Sequence, residues 1–241
     1  MAADEPPWTA DFVVDVTDVP RERHARWDLF DPVAQEPRPL IVFVHGGPVP
    51  PDLPKSPRDW PVYRGYGALA AAAGCVGMTV DHRFHTRQDY ATAFEDVLEA
   101  VGEARADSRV DADRIGIWVF SGGGPLLAPL LAGPPSWLRC LAGTYPILDS
   151  RPGLELPAGF RPIDSLGATE IPLVLTVVGL ESEAVAVGVS RFLRAAQELS
   201  LPIRVIDHPA GHHGFDSSDY TDDSRRCVKA AVSDVAQLLR R

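Results

Sequence analysis

Six short apolar runs recur along this chain, and predicted helices separate most of them. Each run has the length of one strand and carries apolar residues at consecutive positions, as in IVFV at 41–44. The runs end at His45, Asp81, Phe120, Tyr145, Gly179 and His208. Consecutive apolar residues are typical of parallel strands that are covered on both faces. This pattern predicts a sheet buried between two layers of helices.

Five segments have helical character. Segment 87–105 places Tyr90, Val97 and Val101 on one face and acidic residues opposite, as in an amphipathic helix. The helical segments are 63–74, 87–105, 122–133, 182–199 and 224–241. Gly74 is predicted to end the first of them in a left-handed conformation. With two candidate antiparallel strands at 12–15 and 25–30, the alternation predicts an α/β fold with a mostly parallel sheet.

Two segments interrupt this alternation. Residues 48–61 contain six prolines, which exclude a helix or a central strand and predict a stiff loop above the sheet. Residues 149–171 are rich in proline and glycine and have room only for a short lid. The chain shows no internal repeat and no long linker. We therefore expect a single domain over 1–241 with a minimal lid at about 149–171.

Charge and composition exclude several classes of protein. The net charge of −10 at pH 7 argues against a nucleic-acid partner, because phosphate binding needs a basic surface. The N-terminus lacks the apolar core of a signal peptide, and no apolar run is long enough to span a membrane. Cys75, Cys140 and Cys227 are widely separated, and the first two are expected to be buried free thiols. A cytoplasmic location is expected.

Ser121 stands between the third apolar run and a glycine-rich helical segment. This context is that of a nucleophile elbow, a tight turn that projects a serine from the edge of a sheet. Strand and helix approach closely there, and Gly122, Gly123 and Gly124 supply small residues on the helix side. The usual motif is G-x-S-x-G, and Val119 takes its first position here. Ser121 is the candidate nucleophile, and the alternative is a loop serine beside packing glycines.

The first apolar run ends in His45-Gly46-Gly47, which resembles the His-Gly-Gly loop of α/β-hydrolases. In that family the loop supplies backbone amides to an oxyanion hole. Glycine suits this role because no Cβ keeps its N–H from a developing oxyanion. Pro48 has no N–H, so Gly46 and Gly47 are the candidate donors, together with Gly122 after the serine. A simple tight turn is the alternative.

A histidine before Gly-Phe follows the last apolar run and resembles the catalytic histidine loop of α/β-hydrolase esterases. The resemblance gives the role of base to His213. His212 is the alternative, because dienelactone-hydrolase-like proteins often place the catalytic histidine directly after a glycine. The acid is expected after the preceding strand, where Glu181 follows Gly-Leu as in small esterase-like hydrolases. Glu183 is the second choice, and either acid could instead favour a helix N-terminus.

Ser121, Glu181 and His213 occur in the order of the α/β-hydrolase triad, and each follows a predicted strand. The resemblance extends from about Phe12 to the C-terminus and is closest to small esterase-like or dienelactone-hydrolase-like members. It implies the α/β-hydrolase fold with about eight strands. It also implies a carboxylesterase-like serine hydrolase that cleaves an ester, lactone or thioester through an acyl-enzyme on Ser121. The expected partner is a small acyl substrate, and neither a metal nor another cofactor is required.

Two other functions stay open. An acyltransferase or cyclase would use the same triad and the same acyl-enzyme. A non-catalytic ligand-binding protein on this scaffold is the other alternative, since Val119 and a glutamate as the acid depart from the usual pattern. Aromatic side chains at the same sheet edge are candidates for substrate contact, with packing as the alternative role: Trp60, Tyr63, Phe84, His85 and Tyr145. Asp81 and Arg83 are expected to form a buried pair that braces the site.

Overall fold

The structure is a computed structural model that describes residues 8–167 and 170–241. The strands of this part of the chain are β1 (Arg21–Arg23), β2 (Trp27–Phe30), β3 (Arg38–Val44), β4 (Val76–Val80), β5 (Val110–Phe120), β6 (Leu138–Thr144), β7 (Leu173–Leu180) and β8 (Ile203–His212). Its α-helices are α1 (Pro61–Ala72), α2 (Tyr90–Ala104), α3 (Leu127–Ala132), α4 (Glu183–Glu198), α5 (Phe215–Ser218) and α6 (Asp222–Leu239).

The strands form one eight-stranded sheet in the order β1-β2-β4-β3-β5-β6-β7-β8. β2 pairs antiparallel with both β1 and β4. All other neighbours pair parallel. The prediction of a mostly parallel sheet with about eight strands is confirmed, and all six apolar runs are parallel strands within it.

Helices cover both faces of this sheet. In β3, Leu40, Val42 and Val44 belong to the core that residues of α2, α3 and α4 complete. Ile41 and Phe43 point the other way, into the core formed with α1 and α6. Successive side chains of a strand alternate between its faces. Two buried faces therefore require apolar residues at consecutive positions, which explains the runs in the sequence.

The predicted strand at 12–15 is wrong, since this segment is irregular. Its apolar side chains pack on a helix instead of a neighbouring strand. The Phe12 ring lies 5.1 Å from the Tyr66 ring of α1, and the Val13 amide donates to the carbonyl of Asp216 at 3.0 Å. The first strand is the short, exposed β1. The second candidate is shorter than predicted and forms β2.

Four of the five predicted helical segments are helices whose ends lie within three residues of the prediction, and the fifth is modified. Gly74 has φ +77°, the left-handed conformation expected after α1. The segment 122–133 starts with a 3₁₀ turn over Ser121–Leu126, and only its second half is α-helical. Pro125 lies inside that turn and has no N–H to donate to an α-helical hydrogen bond.

The proline-rich segment 48–61 is irregular apart from a short 3₁₀ turn over Pro57–Asp59 and the first residue of α1. Arg58 within it is buried and forms ion pairs with Asp28 at 3.2 Å and Asp81 at 2.7 Å. This buried arginine ties the loop to the carboxyl end of β4.

The Asp81–Arg83 pair does not occur. Asp81 pairs with Arg58 as described, whereas the Arg83 guanidinium lies 2.7 Å from Asp96 in α2. The backbone amide of Arg83 also donates to Asp96, at 2.9 Å. The two side chains of the motif therefore bind different elements.

The segment 149–171 contains an isolated bridge between Arg151 and Leu154 and a 3₁₀ turn over Pro162–Ser165. Residues 168–169 of the predicted lid lie outside the described residues. The role of this segment as a lid stays a prediction, and so does the single-domain organisation over 1–241.

All three cysteines are buried and free, which confirms the prediction for Cys75 and Cys140. Burial raises the pKa of the Cys75 thiol to about 11 and that of Cys140 to about 12. Among the described residues, no helix combines the length and the apolar character needed to cross a membrane.

Candidate active site

Ser121 occupies a strained turn at the carboxyl end of β5. Its φ of +48° lies in the left-handed region, where a residue other than glycine is strained by about 1–3 kcal/mol. The turn packs directly on backbone from other segments. A Cβ on Gly122 would lie 2.1 Å from the Gly47 carbonyl oxygen, and one on Gly124 would lie 2.2 Å from that of Ile147. Only glycine fits at these two positions, which accounts for the glycines after the serine.

His213 and Glu181 reach this turn from the two neighbouring strands β7 and β8. Glu181 is the first residue after β7, and His213 the first after β8. Nε2 of His213 lies 2.6 Å from Oγ of Ser121. Nδ1 of His213 lies 2.5 Å from Oε2 of Glu181. A hydroxyl, an imidazole and a carboxylate thus form one hydrogen-bonded chain at the carboxyl edge of the sheet.

The Glu181 carboxylate is suited to hold the imidazole. Its side chain is 6% exposed, and burial by itself raises the pKa of Glu181. Hydrogen bonds from His213 and from the Ser182 amide, which lies 2.7 Å away, outweigh that effect and hold the pKa below its ordinary value. The carboxylate is therefore ionised at neutral pH.

The two alternative residues lie elsewhere. The ring of His212 is 60% exposed, and its Nδ1 lies 3.1 Å from Asp219. Glu183 is exposed in the first turn of α4. The geometry brings His213 and Glu181 to Ser121 and leaves His212 and Glu183 apart from it.

The candidate oxyanion donors surround the serine but differ in their present partners. The Gly46 amide donates to the Tyr63 hydroxyl at 3.4 Å. Among residues 8–167 and 170–241, no group accepts a hydrogen bond from the Gly47 amide. The Gly47 nitrogen would lie 3.2 Å from a Cβ on Gly122. The amide of Gly47 is thus the free donor of the His-Gly-Gly loop.

Two stacked histidines form hydrogen bonds with backbone carbonyls of this loop. The ring of His45 lies 3.8 Å from that of His82, and both are buried. Nδ1 of His45 donates to the Gly46 carbonyl at 2.6 Å, and Nε2 of His82 donates to the His45 carbonyl at 3.1 Å. Burial lowers the pKa of both histidines. The neutral rings therefore act as hydrogen-bond donors that fix the loop.

Two cavities lie at this edge of the sheet. A cavity of about 160 Å³ adjoins Glu181, and its other lining residues are mostly apolar. A cavity of about 320 Å³ lies between the proline-rich segment and the residues after β4. Of the candidate substrate contacts, Tyr145 lines the smaller cavity and His85 the larger one. Trp60, Tyr63 and Phe84 line neither.

The three remaining aromatic candidates pack around the His-Gly-Gly loop. The Tyr63 hydroxyl accepts from Gly46, as described, and a Cβ on Gly47 would lie 2.8 Å from the Phe84 ring. Phe84 is 1% exposed and Tyr63 is 7% exposed. The Trp60 ring lies 5.9 Å from that of Tyr63. Substrate contact by these side chains stays a prediction.

The sequence did not predict the burial of Asp216 or its two tyrosine partners. Asp216 accepts hydrogen bonds from the hydroxyls of Tyr66, at 3.0 Å, and Tyr145, at 2.7 Å. The only signal in the sequence is its position three residues after His213. In the described residues, no three or more His, Cys, Asp or Glu side chains form a group that could hold a metal ion.

No protein-family model matches the chain. Solved structures match most of its length. The thermophilic and thermostable carboxylesterase EstE1 from a metagenomic library is 15% identical, with a TM-score of 0.73 over 95% of this chain and 92% of that one. The esterase LipW from Mycobacterium marinum is 20% identical, with a TM-score of 0.67 over 89% and 77% of the two chains. An arylesterase is 16% identical, with a TM-score of 0.72 over 95% and 88%.

The chain has the α/β-hydrolase fold. This confirms the fold and the structural resemblance predicted from the sequence. Ser121 directly follows β5 of this sheet. The serine, acid and histidine also follow one another along the chain as in other proteins of this fold.

Proposed function

We propose that this protein is a carboxylesterase-like serine hydrolase that forms an acyl-enzyme on Ser121. The observation that carries the proposal is the hydrogen-bonded chain from Ser121 through His213 to Glu181. It starts at a serine in a strained turn, next to the free amide of Gly47. Substrates of the proposed class are carboxylic esters, lactones and thioesters.

The geometry supports the following first step. Nε2 of His213 takes the hydroxyl proton of Ser121 while Oγ forms a bond to the acyl carbon, and the carbonyl oxygen takes the electron pair of the C=O π bond. Glu181 keeps the proton on Nδ1 and stabilises the imidazolium. The carbonyl then reforms, the bond to the leaving group breaks, and His213 protonates that group. Ser121 is left acylated.

The second step reverses these roles. His213 removes a proton from water, whose oxygen attacks the acyl carbon of the ester on Ser121. The tetrahedral intermediate breaks its bond to Oγ, which takes the proton back from His213. The products are a carboxylic acid and the free enzyme. The His213 side chain is 37% exposed, so solvent has access to the imidazole.

The proposed donors to the oxyanion of both intermediates are two backbone amides. Gly47 is free of any acceptor in the described residues, and Gly122 lies beside it. Removal of one such donor typically costs about 2.7–4 kcal/mol of transition-state stabilisation. Gly46 is the weaker candidate because its amide already has a partner.

We propose that the acyl group occupies the cavity beside Glu181, because Tyr145 lines that cavity and its ring lies 4.7 Å from that of His213. The cavity volume of about 160 Å³ is below the range of typical drug-sized pockets, roughly 300–1,000 Å³. Because its lining is mostly apolar, the proposed acyl groups are short alkyl chains or one small ring.

The experiment is turnover of p-nitrophenyl acetate, butyrate and octanoate by the wild type and by Ser121→Ala. We expect the wild type to prefer the short esters and the variant to lose at least about 10³-fold in kcat. Partition of the acyl group between water and added methanol separates hydrolysis from acyl transfer. A folded wild type that cleaves none of these esters, nor a lactone or a thioester, would contradict the proposal.

A further inference from the structure

A buried carboxylate, Asp216, is connected to the proposed catalytic base through Tyr145 and takes no part in the mechanism above. Asp216 is 0% exposed and belongs to the short helix α5. Among the described residues, no arginine, lysine or histidine forms an ion pair with it. Its two oxygens accept from two phenols, Oδ1 from Tyr145 and Oδ2 from Tyr66. A buried carboxylate without a cation is costly to the fold.

Tyr145 connects this carboxylate to the imidazole. Its ring centroid lies 4.7 Å from that of His213, at an interplanar angle of 50°. Its backbone is held as well, because its amide donates to the Thr176 carbonyl at 2.9 Å and its φ is +40°. Both ends of the side chain are thus fixed, the Cα by the turn after β6 and the hydroxyl by Asp216. The Tyr145 ring therefore packs against the imidazole in a fixed orientation.

Tyr66 makes the same hydrogen bond but no such contact. Its ring packs on Phe12, Phe43, Trp118 and Phe120. The carboxylate therefore has one phenol that touches the imidazole and one that belongs to the core. Tyr66 and Tyr145 are therefore a matched pair: at each, the hydroxyl that donates to Asp216 can be removed while the ring is kept.

We propose that Asp216 is a positioning residue for His213. Its carboxylate holds the Tyr145 phenol, and the Tyr145 ring holds the imidazole in the plane that reaches both Ser121 and Glu181. The inference rests on the proposed function, since it concerns the base of that reaction. The ionised carboxylate also faces the imidazolium that forms during catalysis and favours that charge.

The test compares Tyr145→Phe, Asp216→Asn and the matched control Tyr66→Phe. Each phenylalanine variant removes one hydroxyl from the same carboxylate and keeps the ring. We expect Tyr145→Phe and Asp216→Asn to lower kcat by about tenfold, with KM within about twofold. We expect Tyr66→Phe to stay within about twofold of the wild type in both constants. The double variant Tyr145→Phe/Asp216→Asn should lose no more than the worse single variant, because both changes act through one hydrogen bond.

A second readout does not depend on substrate. We expect the Nδ1 proton of His213, hydrogen-bonded to Glu181, to give a downfield proton resonance in NMR spectra. We expect Tyr145→Phe and Asp216→Asn to shift or broaden it and Tyr66→Phe to leave it in place. Equal effects of Tyr145→Phe and Tyr66→Phe on kcat and on the resonance would show a merely structural carboxylate and overturn the inference. So would an unchanged resonance in Tyr145→Phe.

The two proposals fail in different ways. A wild type without esterase activity rejects the proposed function, while the resonance still reports whether Asp216 positions the imidazole. If Asp216→Asn does not fold, Tyr145→Phe still decides, because it removes a single oxygen atom.

Discussion

Val119 packs directly against Gly123 across the turn that carries Ser121. A Cβ on Gly123 would lie 3.6 Å from the Cβ of Val119, at ordinary contact distance, and 3.0 Å from the His45 carbonyl oxygen. The valine stands where the usual elbow motif has a glycine, and its Cβ would be in ordinary contact even with a Cβ at position 123. Ser121 keeps φ +48°. The departure from the motif is thus accommodated locally and leaves the turn intact.

The glycine after the serine should tolerate no side chain. In Gly122→Ala the new Cβ would meet the Gly47 carbonyl oxygen, a backbone atom that cannot swing away. We expect a loss of about 10²-fold or more in kcat, because the shift displaces both proposed oxyanion donors. Gly133→Ala is the control, since its Cβ would have no neighbour within 4 Å. Full activity in Gly122→Ala, measured with p-nitrophenyl acetate, would count against this oxyanion hole.

We expect kcat to depend on the charge of the Glu181 carboxylate and on its hydrogen bond to the imidazole. Glu181→Gln keeps the shape but lets the amide stabilise the wrong tautomer of His213, so we expect kcat to fall by about 10⁴-fold. Glu183→Gln changes an exposed acid two residues away and serves as the control. Steady-state ester turnover measures both. Comparable losses in the two variants would exclude Glu181 as the specific partner of His213.

Asp216 should make the stability of the protein depend on pH. Burial raises the pKa of this carboxyl from 3.8 to about 6, and the hydrogen bonds from Tyr145 and Tyr66 only partly offset it. Between these two pH values the folded protein binds a proton that the unfolded chain has released. Folding stability from this group therefore falls as pH rises from about 4 to about 6, by about 1.4 kcal/mol per pH unit and about 3 kcal/mol in total.

Urea unfolding of the wild type and Asp216→Asn at pH 4.5 and pH 7 isolates this effect. The groups that face Asp216, namely Tyr63, Tyr66, Tyr145 and His213, are the same in both proteins. We expect the wild type to lose stability relative to the variant on going from the lower to the higher pH. A difference between the two proteins that does not change with pH would contradict the raised pKa.

The thiols should be inert in the native protein. All three are buried, and burial raises the pKa of each, so little thiolate forms at neutral pH. We expect no reaction with a thiol-specific disulfide reagent before unfolding and reaction of all three cysteines in denaturant. Rapid labelling of the native protein would show an opening that exposes the core.

Much of this fold is predictable because a strand that is buried on both faces carries apolar residues at consecutive positions. The six apolar runs identify β3 to β8, and the glycine at 74 marks a helix end. The segment at 12–15 misleads because its apolar residues pack on α1, and packing on a helix needs no strand. β1 consists of exposed charged residues and therefore has no apolar run that would predict it.

The meeting of Ser121, His213 and Glu181 was predictable because each follows a strand, and parallel strands bring their carboxyl ends to one edge. The position of the Asp216 carboxylate was not predictable. Tyr66, Tyr145 and Asp216 come from three distant parts of the chain and have no spacing in common. The pairing of Asp81 with Arg58, in place of Arg83, likewise depends on how a loop folds back over the sheet.

The central claim is that Ser121 is a nucleophile activated by His213. Its most direct test is the intact mass of the wild type and Ser121→Ala after incubation with a fluorophosphonate. We expect one adduct per wild-type chain, mapped to Ser121, and none on the variant. A folded wild type that remains unmodified, or an adduct that persists in Ser121→Ala, would contradict it.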